Sequence, residues 1–423
     1  MSAATRSAPS KVALDAIKGV VGAKGVVEGE DAAPFLSEWR GRWPGEAAMI
    51  VCPASTEAVA AVVKICADHN IAITPQGGNT GLVGGQIPFG DEILLSLKRM
   101  RRIREIEPLN NTMTVDAGVI LAEAQVLPNG EVWNGLKRLR KDNTGYDLKQ
   151  LLIGAEGTLG IVTGAVLKLY PLPAEKVTVC AGVKSPADAV ALLSHAQNET
   201  GGAATSFELM TRICIDLVLK HIPNTRDPMG EAHAVYVLME FSSGQKSGLR
   251  AQIEEMLESA LNKNLIEDAV IAENEAQAGA LWHIRHSMSE AINGEGLGAR
   301  HDVSVATSDI PAFLEKAGAE VTRIAPGARV VAFGHIGDGN VHYDVVGPEG
   351  ADPHALDDKR AEIESAVYDV IGAFNGSISA EHGVGRHRRD TLAKRKNPVE
   401  LEMMRAIKKS LDPQGIMNPG KML

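Results

Sequence analysis

Sulfur chemistry has little material in this chain. Only four cysteines occur in 423 residues, at Cys52, Cys66, Cys180 and Cys214, and no two of them form a CxxC pair. Neither a disulfide framework nor a cysteine zinc site is indicated. Long apolar runs are also missing, since none approaches the roughly 20 residues of a membrane-spanning helix. The opening MSAATRSAPSK has no apolar core of the kind a secretory leader carries. Positive charge is in deficit, 43 Lys and Arg against 53 Asp and Glu for a net charge of −10, which argues against general binding to nucleic acid or to an anionic membrane. No internal repeat or low-complexity tract stands out. What is present is the balance of a soluble globular protein, 44% apolar and 23% charged. The length suggests two to three domains at about 150 residues each. Composition alone leads to the expectation of a cytoplasmic, enzyme-sized chain compatible with a metal, and indicates no chemistry.

Local patterning divides the chain. The first 45 residues are weakly patterned. Pro53-Ala54-Ser55-Thr56 then opens a helix whose apolar face is Val59, Val62, Val63 and Cys66, spaced i, i+3, i+4, i+7. Residues 71–74 and 93–97 read as strands with a glycine-rich loop between them, and the basic stretch 98–104 reads as a solvated turn and strand edge. Residues 117–125 begin like a helix but run after about two turns into 126–133, which reads as a hairpin around Asn129-Gly130. So short a helix without a stop signal is a local misfit. From about residue 175 helices and strands alternate. Ser185-Pro186 starts a helix. Residues 234–241, 268–272 and 330–333 read as strands, and 245–261, 275–292 and 308–324 as helices. The expected class is α+β.

Three motifs carry chemistry. Pro75-Gln76-Gly77-Gly78-Asn79-Thr80-Gly81-Leu82-Val83-Gly84-Gly85 holds five glycines in eleven residues. Glycine admits positive φ and close approach of the backbone to a ligand, and successive N–H groups form a concave anion site. A diphosphate is the natural occupant, with a plain flexible turn as the alternative. The loop is neither GxxxxGKS/T nor a GxGxxG opening a helix. The second motif, 334–342, contains Asp338-Gly339, a two-residue hairpin signal. With that turn His335 faces His342, their Cβ atoms about 5 Å apart, and Asn340 shares the face. Two imidazoles so placed can share a metal ion; a stacked histidine pair is the alternative. In the third motif, 379–386, Glu381 adjoins His382. Glu381 can complete a His2Glu site with an open coordination position, and His382 can act as base beside it. Arg285 and Arg300 can each clamp a carboxylate, with surface solvation as the alternative.

PQGGNTGLVGG (75–85), IGAEGTLGIVT (153–163), GHIGDGNVH (334–342), ISAEHGVGR (378–386) and LDPQGIMNPGKML (411–423) follow one another in this order. From about residue 45 to its end the chain thereby resembles the FAD-dependent flavoproteins of the vanillyl-alcohol oxidase and p-cresol methylhydroxylase type. More narrowly, it resembles their D-2-hydroxyacid dehydrogenase branch. The resemblance implies a two-domain α+β flavoprotein, with a FAD-binding domain at 1–174, a mixed α+β substrate and metal domain at 175–376, and a C-terminal segment, 377–423, that returns to the FAD domain. It implies that Pro75, Gly77, Gly78, Asn79, Thr80, Gly81, Gly84 and Gly85 wrap the FAD diphosphate. Gly154, Glu156, Gly157, Gly160 and Ile161 would lie along the cofactor, and Asn418 would approach the flavin. His335, His342 and Glu381 would hold a divalent metal, zinc in expectation. Asn340 and His382 would contact the substrate, and Arg285, Ser289 and Arg300 would surround its far end. Asn79 stands where some of these flavoproteins attach FAD through a histidine, so non-covalent FAD is implied.

The implied reaction is the metal-assisted oxidation of a D-2-hydroxy acid to its 2-oxo acid, with His382 as base and the hydride passing to the flavin. Two cations at the far end favour a dicarboxylate, D-2-hydroxyglutarate or D-malate, over D-lactate or glycolate, because a buried cation without a counter-charge is costly. An electron-transfer flavoprotein or a quinone would accept the electrons, and a homodimer is compatible with the pattern. A flavin-free metal hydrolase on the same His2Glu set and a ligand-binding relative without FAD are the competing readings.

One departure coincides with the local misfit. The resemblance implies several tens of residues, with a second glycine-rich stretch against the cofactor, between 125 and 126, and this sequence lacks them. The expectation is a missing segment rather than a true deletion. Intact-mass spectrometry of the protein from its source is then expected to give more than 44.8 kDa. A mass equal to that value would establish a true deletion and weaken the FAD reading.

Overall fold

The computed structural model describes residues 8–423 except 39–40, 120–124, 127–128 and 297, and of 125–126 the backbone alone. The chain divides into two compact units, Met1–Tyr170 with His382–Leu423, and Pro171–Glu381. Among the described residues no helix is long and apolar enough to cross a membrane.

In the first unit the helix Thr56–Asp68 forms where its apolar spacing predicts. The Ser55 side chain caps it, accepting from the Ala58 N–H at 3.2 Å. Val59, Val62, Val63 and Cys66 are fully buried and pack with Ala13 and Ile17 of the helix Lys11–Val21, which the weak patterning of the first 45 residues did not announce. The core also takes in a four-stranded sheet in the order Val26–Val27, Met49–Val51, Ile93–Ser96, Ile73–Gln76. The last three strands are parallel. The strand Ile73–Gln76 runs into the glycine-rich loop and is bordered by the C-terminal segment. Ile73 N–H donates to Ile416 O and Asn418 N–H donates to Ile73 O, both at 2.8 Å.

The expected helix over 117–125 is not formed at either end. Residues 117–119 make a turn and Gln125–Val126 is a strand, while 120–124 lie outside the described residues. The hairpin around Asn129-Gly130 is present, Gln125 pairing with Trp133 and Val126 with Val132, and the same strand pairs with Ile161–Val162.

The second unit is built on one seven-stranded sheet. From edge to edge it runs Asp268–Ile271, Glu175–Val183, Val235–Ser243, Ala204–Thr211, Arg329–His335, Asn340–Val346 and Ala299–Ser304. Every neighbouring pair is antiparallel. Both faces are covered, as the alternation of side chains along a strand allows. Val177, Val179, Ala181 and Val183 pack with the helices Pro186–Thr200, Leu249–Asn262, Ile310–Ile324 and Arg360–Ala373. Cys180, Met210, Leu238 and Phe333 face the helices Arg212–His221 and Glu275–Asn293. Residues 377–381, expected to leave with the C-terminal segment, stay with this unit. Ser304 and Ser377 exchange backbone hydrogen bonds, and Ala380 N–H donates to Asp302 O.

Glu295, its side chain 4% exposed, gathers two cations and an imidazole of this unit: Lys220 Nζ at 2.6 Å, Arg329, and His221 Nε2 at 2.5 Å. Burial acts to raise its pKa, but Lys220, Arg329 and His221 outweigh burial and take it down from 4.5 to about 2. A carboxyl depressed in this way contributes stability above its unfolded value, and that contribution is lost as pH falls toward the folded one. Glu295→Gln is therefore expected to lower the melting temperature at neutral pH and to flatten its decline between pH 4.5 and about 2, followed by circular dichroism. An acid profile identical to that of the wild type would show that the cluster contributes nothing.

Candidate functional site

The glycine-rich loop forms one wall of a cavity of about 1270 Å³ in the first unit, lined by Gln76, Gly77, Gly78, Asn79 and Thr80 together with Phe35, Ser96, Lys98, Arg101 and residues 117–119. A Cβ on Gly77 would meet nothing within 4 Å, and one on Gly78 only the Thr80 methyl at 3.8 Å, so the loop backbone faces open space. Asn79 holds this shape at φ 59° by donating Nδ2 to Pro34 O and Ser37 O, both at 2.9 Å. Its buried Oδ1 is left without a partner. Gly81, Gly84 and Gly85 do not line the cavity. Gly84, at φ 69°, packs against Arg386 and Trp43, where a Cβ would come within 2.9 Å of each. Lys98 and Arg101 belong to the basic stretch read as solvated surface, yet they put two cations in the cavity wall. Their signal was position, immediately after the strand that runs parallel to the loop's own strand.

The expected second arm, 154–161, is joined to the loop by the C-terminal segment. Glu156 sits at φ 52°, and its carboxylate accepts the N–H groups of Val384 and Gly385, each at 2.7 Å. Its backbone O accepts Asn418 Nδ2 at 2.7 Å, and the same amide donates to Gly85 O at 2.9 Å. Burial pushes the Glu156 carboxyl pKa up, against the pull of the two amides. Gly154 and Gly157 supply positive φ, 78° and 71°. Gly160 and Ile161 are buried, Ile161 within the apolar core. Asn418 Oδ1 is a second buried oxygen without a partner. An open glycine backbone, the orphaned Asn79 oxygen and two cations around one cavity fit a dinucleotide with a diphosphate.

In the second unit the hairpin register differs from the Asp-Gly expectation. His342 pairs with Phe333 rather than with His335, and the turn spans 336–339. Ile336 is the cause. It is 1% exposed and turns into the core, which lengthens the loop, while Asp338 Oδ1 accepts the Asn340 N–H at 3.2 Å. His335 still shares a face with Phe333, and hence with His342, by the period of two. The two imidazole centroids are 6.0 Å apart. Glu381 reaches toward both, its Oε1 3.6 Å from His335 Nε2 and its Oε2 3.7 Å from His342 Nε2. These separations exceed a hydrogen bond, and a divalent ion coordinated at about 2 Å suits such a donor set.

A carboxylate stands behind each imidazole. Glu208 Oε1 is 2.6 Å from His335 Nδ1, and Asp302 Oδ1 is 3.8 Å from His342 Nδ1. Glu208 raises the His335 pKa through this hydrogen bond. Asp302, His342, Glu381 and His382 each offer a ligand atom within 4.8 Å of the others, a group that does not include His335. Asp302 nevertheless already accepts Asn340 Nδ2 and the Glu381 N–H, both at 2.9 Å, which marks it as support. Asn340 Nδ2 also donates to Val303 O, and its buried Oδ1 has no partner. His382, half-buried, follows Glu381 as the first residue of the returning segment.

The far-end arginines are not bare. Arg285, 8% exposed, donates Nε and Nη2 to Glu208 Oε2, both at 2.8 Å, and stacks over Phe333. Arg300 donates to Asp344 Oδ2 at 2.7 Å across the strand pair in which the two residues are directly opposite. Each cation thus has an internal counter-charge. Arg285 Nη1 has no bond to the described residues and keeps one donor edge. Ser289, half-buried, lies one helical turn beyond Arg285.

Two family models match the chain, a FAD binding domain over residues 47–130 and the FAD linked oxidases, C-terminal domain, over residues 172–422. The D-2-hydroxyglutarate–pyruvate transhydrogenase of Saccharomyces cerevisiae is 32% identical over 93% of this chain and 90% of its own. The mitochondrial D-2-hydroxyglutarate dehydrogenase of Arabidopsis thaliana is 30% identical over 96% of this chain and 80% of its own. The solved structure of p-cresol methylhydroxylase with substrate bound matches with a TM-score of 0.74 at 17% identity, over 97% of this chain and 96% of that one, a likeness of fold. The yeast alignment runs over 451 positions, more than the 423 residues present here, so that relative carries residues this chain lacks.

Glu156 is the testable part of the cradle. A hydrogen bond to a charged acceptor contributes about 1.5–3 kcal/mol, and Glu156→Ala removes two of them. Flavin affinity, measured by fluorescence on reloading the stripped protein, is expected to fall at least about tenfold. Wild-type affinity in that variant would separate Glu156 from cofactor binding.

Proposed function

The chain belongs to the family of FAD-linked oxidases, as a FAD-dependent dehydrogenase, and from that premise we propose that it oxidises a D-2-hydroxy acid to the 2-oxo acid with the help of a divalent metal. The observation that carries the metal is the convergence of His335 Nε2, His342 Nε2 and Glu381. Two imidazoles and a carboxylate are a donor set for zinc. The relatives named for D-2-hydroxyglutarate support the substrate class. The two guanidiniums on the same sheet face support its dicarboxylate form, D-2-hydroxyglutarate or D-malate.

When bound, FAD would supply a hydride acceptor for C2 of the substrate, and a metal held by His335, His342 and Glu381 would polarise the hydroxyl and carboxylate oxygens. The residues do the rest. Asn340, its Nδ2 fixed by Asp302 and Val303, presents Oδ1 as an acceptor for the substrate hydroxyl. His382, directly after Glu381 in the chain, takes the hydroxyl proton as general base. Arg285 through Nη1, Arg300 through its outer edge and Ser289 hold the distal carboxylate. Asn79 in place of a histidine leaves FAD non-covalently held. The electrons leave to a separate acceptor of the electron-transfer flavoprotein or quinone kind. A second reading, D-lactate or glycolate, is favoured by one observation: Glu208 and Asp344 already neutralise the two arginines.

A dye-reduction assay across D-lactate, glycolate, D-malate and D-2-hydroxyglutarate separates the two. A charge-assisted contact predicts a kcat/KM roughly ten- to a hundredfold higher for the dicarboxylates. Arg300→Ala should raise KM for the dicarboxylate far more than for D-lactate. Equal efficiency on D-lactate and D-2-hydroxyglutarate would return the protein to the D-lactate or glycolate group. His335→Ala and His342→Ala should each abolish turnover with flavin content near normal, and activity that survives exhaustive chelation would rule out a catalytic metal.

A further inference from the structure

We propose that Glu208, on the strand Ala204–Thr211, is a positioning residue of the metal site, fixing the tautomer and orientation of His335 and linking that ligand to Arg285. The proposal rests on the metal reading above. Glu208 is 4% exposed, and both of its oxygens are engaged. Oε1 lies 2.6 Å from His335 Nδ1, and Oε2 receives Nε and Nη2 of Arg285, both at 2.8 Å. The contact to His335 is built into the sheet, since Glu208 and His335 are directly opposite in the pairing of their strands.

An ionised carboxylate only accepts hydrogen bonds. Oε2 is held as an acceptor by the guanidinium of Arg285, a permanent cation, and Oε1 then faces His335 Nδ1 at 2.6 Å. Nδ1 of His335 must therefore carry the proton, which leaves the Nε2 lone pair directed toward Glu381. A carboxylate behind a ligating histidine sets the ring's angle and raises its basicity. Behind the other imidazole, His342 Nδ1 is 3.8 Å from Asp302, whose oxygens also accept Asn340 and the Glu381 N–H. His335 is held at Nδ1 by a carboxylate oxygen at 2.6 Å.

Glu208→Gln keeps the size of the side chain but cannot serve both neighbours. Its one carbonyl oxygen can satisfy either Arg285 or His335, and its NH2 then confronts the other. If the carbonyl stays with Arg285, the NH2 faces Nδ1, the proton moves to Nε2, and the lone pair that would reach the metal is lost.

The experiment uses the flavin-loaded protein and Zn2+ in competition with a chromogenic chelator. The wild type is expected to compete, and Glu208→Gln to bind Zn2+ ten- to a hundredfold more weakly, in line with the loss of such outer partners. The flavin spectrum should stay near wild type, while the melting temperature falls with the loss of the counter-charge to Arg285. In a His335→Ala background the same substitution should cause no further loss, because the group it positions is gone. A general structural role would instead weaken both backgrounds alike, and that result overturns the proposal. So does wild-type affinity in Glu208→Gln. If that variant does not fold, Glu208→Asp keeps the buried charge for Arg285 while withdrawing it from His335 by one methylene. It should bind Zn2+ several-fold more weakly, and wild-type affinity there overturns the proposal equally. A wild type that fails to compete at all would instead remove the metal reading on which the proposal stands.

Discussion

The sheet of the second unit is covered on both faces, so each charge placed on it must meet an opposite charge or a donor inside the fold. That constraint organises the candidate metal site. Along one face the apolar residues Leu238, Met210 and Phe333 give way to Glu208, His335, His342, Asp302, Arg300 and Asp344. These side chains come as partners: Glu208 with His335 and Arg285, Asp302 with Asn340 and the Glu381 amide, Arg300 with Asp344. What this pairing leaves unengaged is instructive. It includes the Asn340 amide oxygen and one guanidinium edge, and beside them His335 Nε2 and His342 Nε2 stand 3.6 and 3.7 Å from Glu381.

The first unit solves the opposite problem, holding backbone open rather than burying charge. Its glycine loop faces the cavity with its first half and packs into the fold with its second, and Asn79 and Asn418 pin the two halves through side-chain amides. Each of these amides spends its NH2 on the protein and keeps its oxygen unpaired. Glu156 does the same job with charge, accepting two amides of the returning segment.

Much of this was legible along the chain, for local reasons. The helix Thr56–Asp68 and the start at Ser185-Pro186 follow from caps and periodicity, and the glycine loop is unmistakable by composition. The shared face of His335 and His342 was legible too, since a period of two survives a change of loop length. Their register was not, because the burial of Ile336 is a tertiary fact that outweighs the Asp-Gly signal. The counter-charges of the arginines were invisible for the same reason. Glu208 lies 77 residues from Arg285, and Asp344 lies 44 from Arg300. Lys98 and Arg101 carried no pattern that distinguishes a cavity wall from a solvated surface. Past the discordant junction the chain exposes Leu139, Tyr146, Leu148 and Ile153, apolar side chains of the kind a covering segment buries.

Asn418 meets the carbonyl of Gly85 across 333 residues of chain, and the whole second unit is spelled out between them. During synthesis on the ribosome the loop and its strand emerge early, while the amide that closes them is made almost last. The second unit is continuous in sequence and has all of its strands and helices before Asn418 appears. That unit can therefore assemble before the bonds of Asn418 to Gly85 and Glu156 are made. A message truncated in its last codons would encode the whole second unit and omit the amide that joins Gly85 to Glu156.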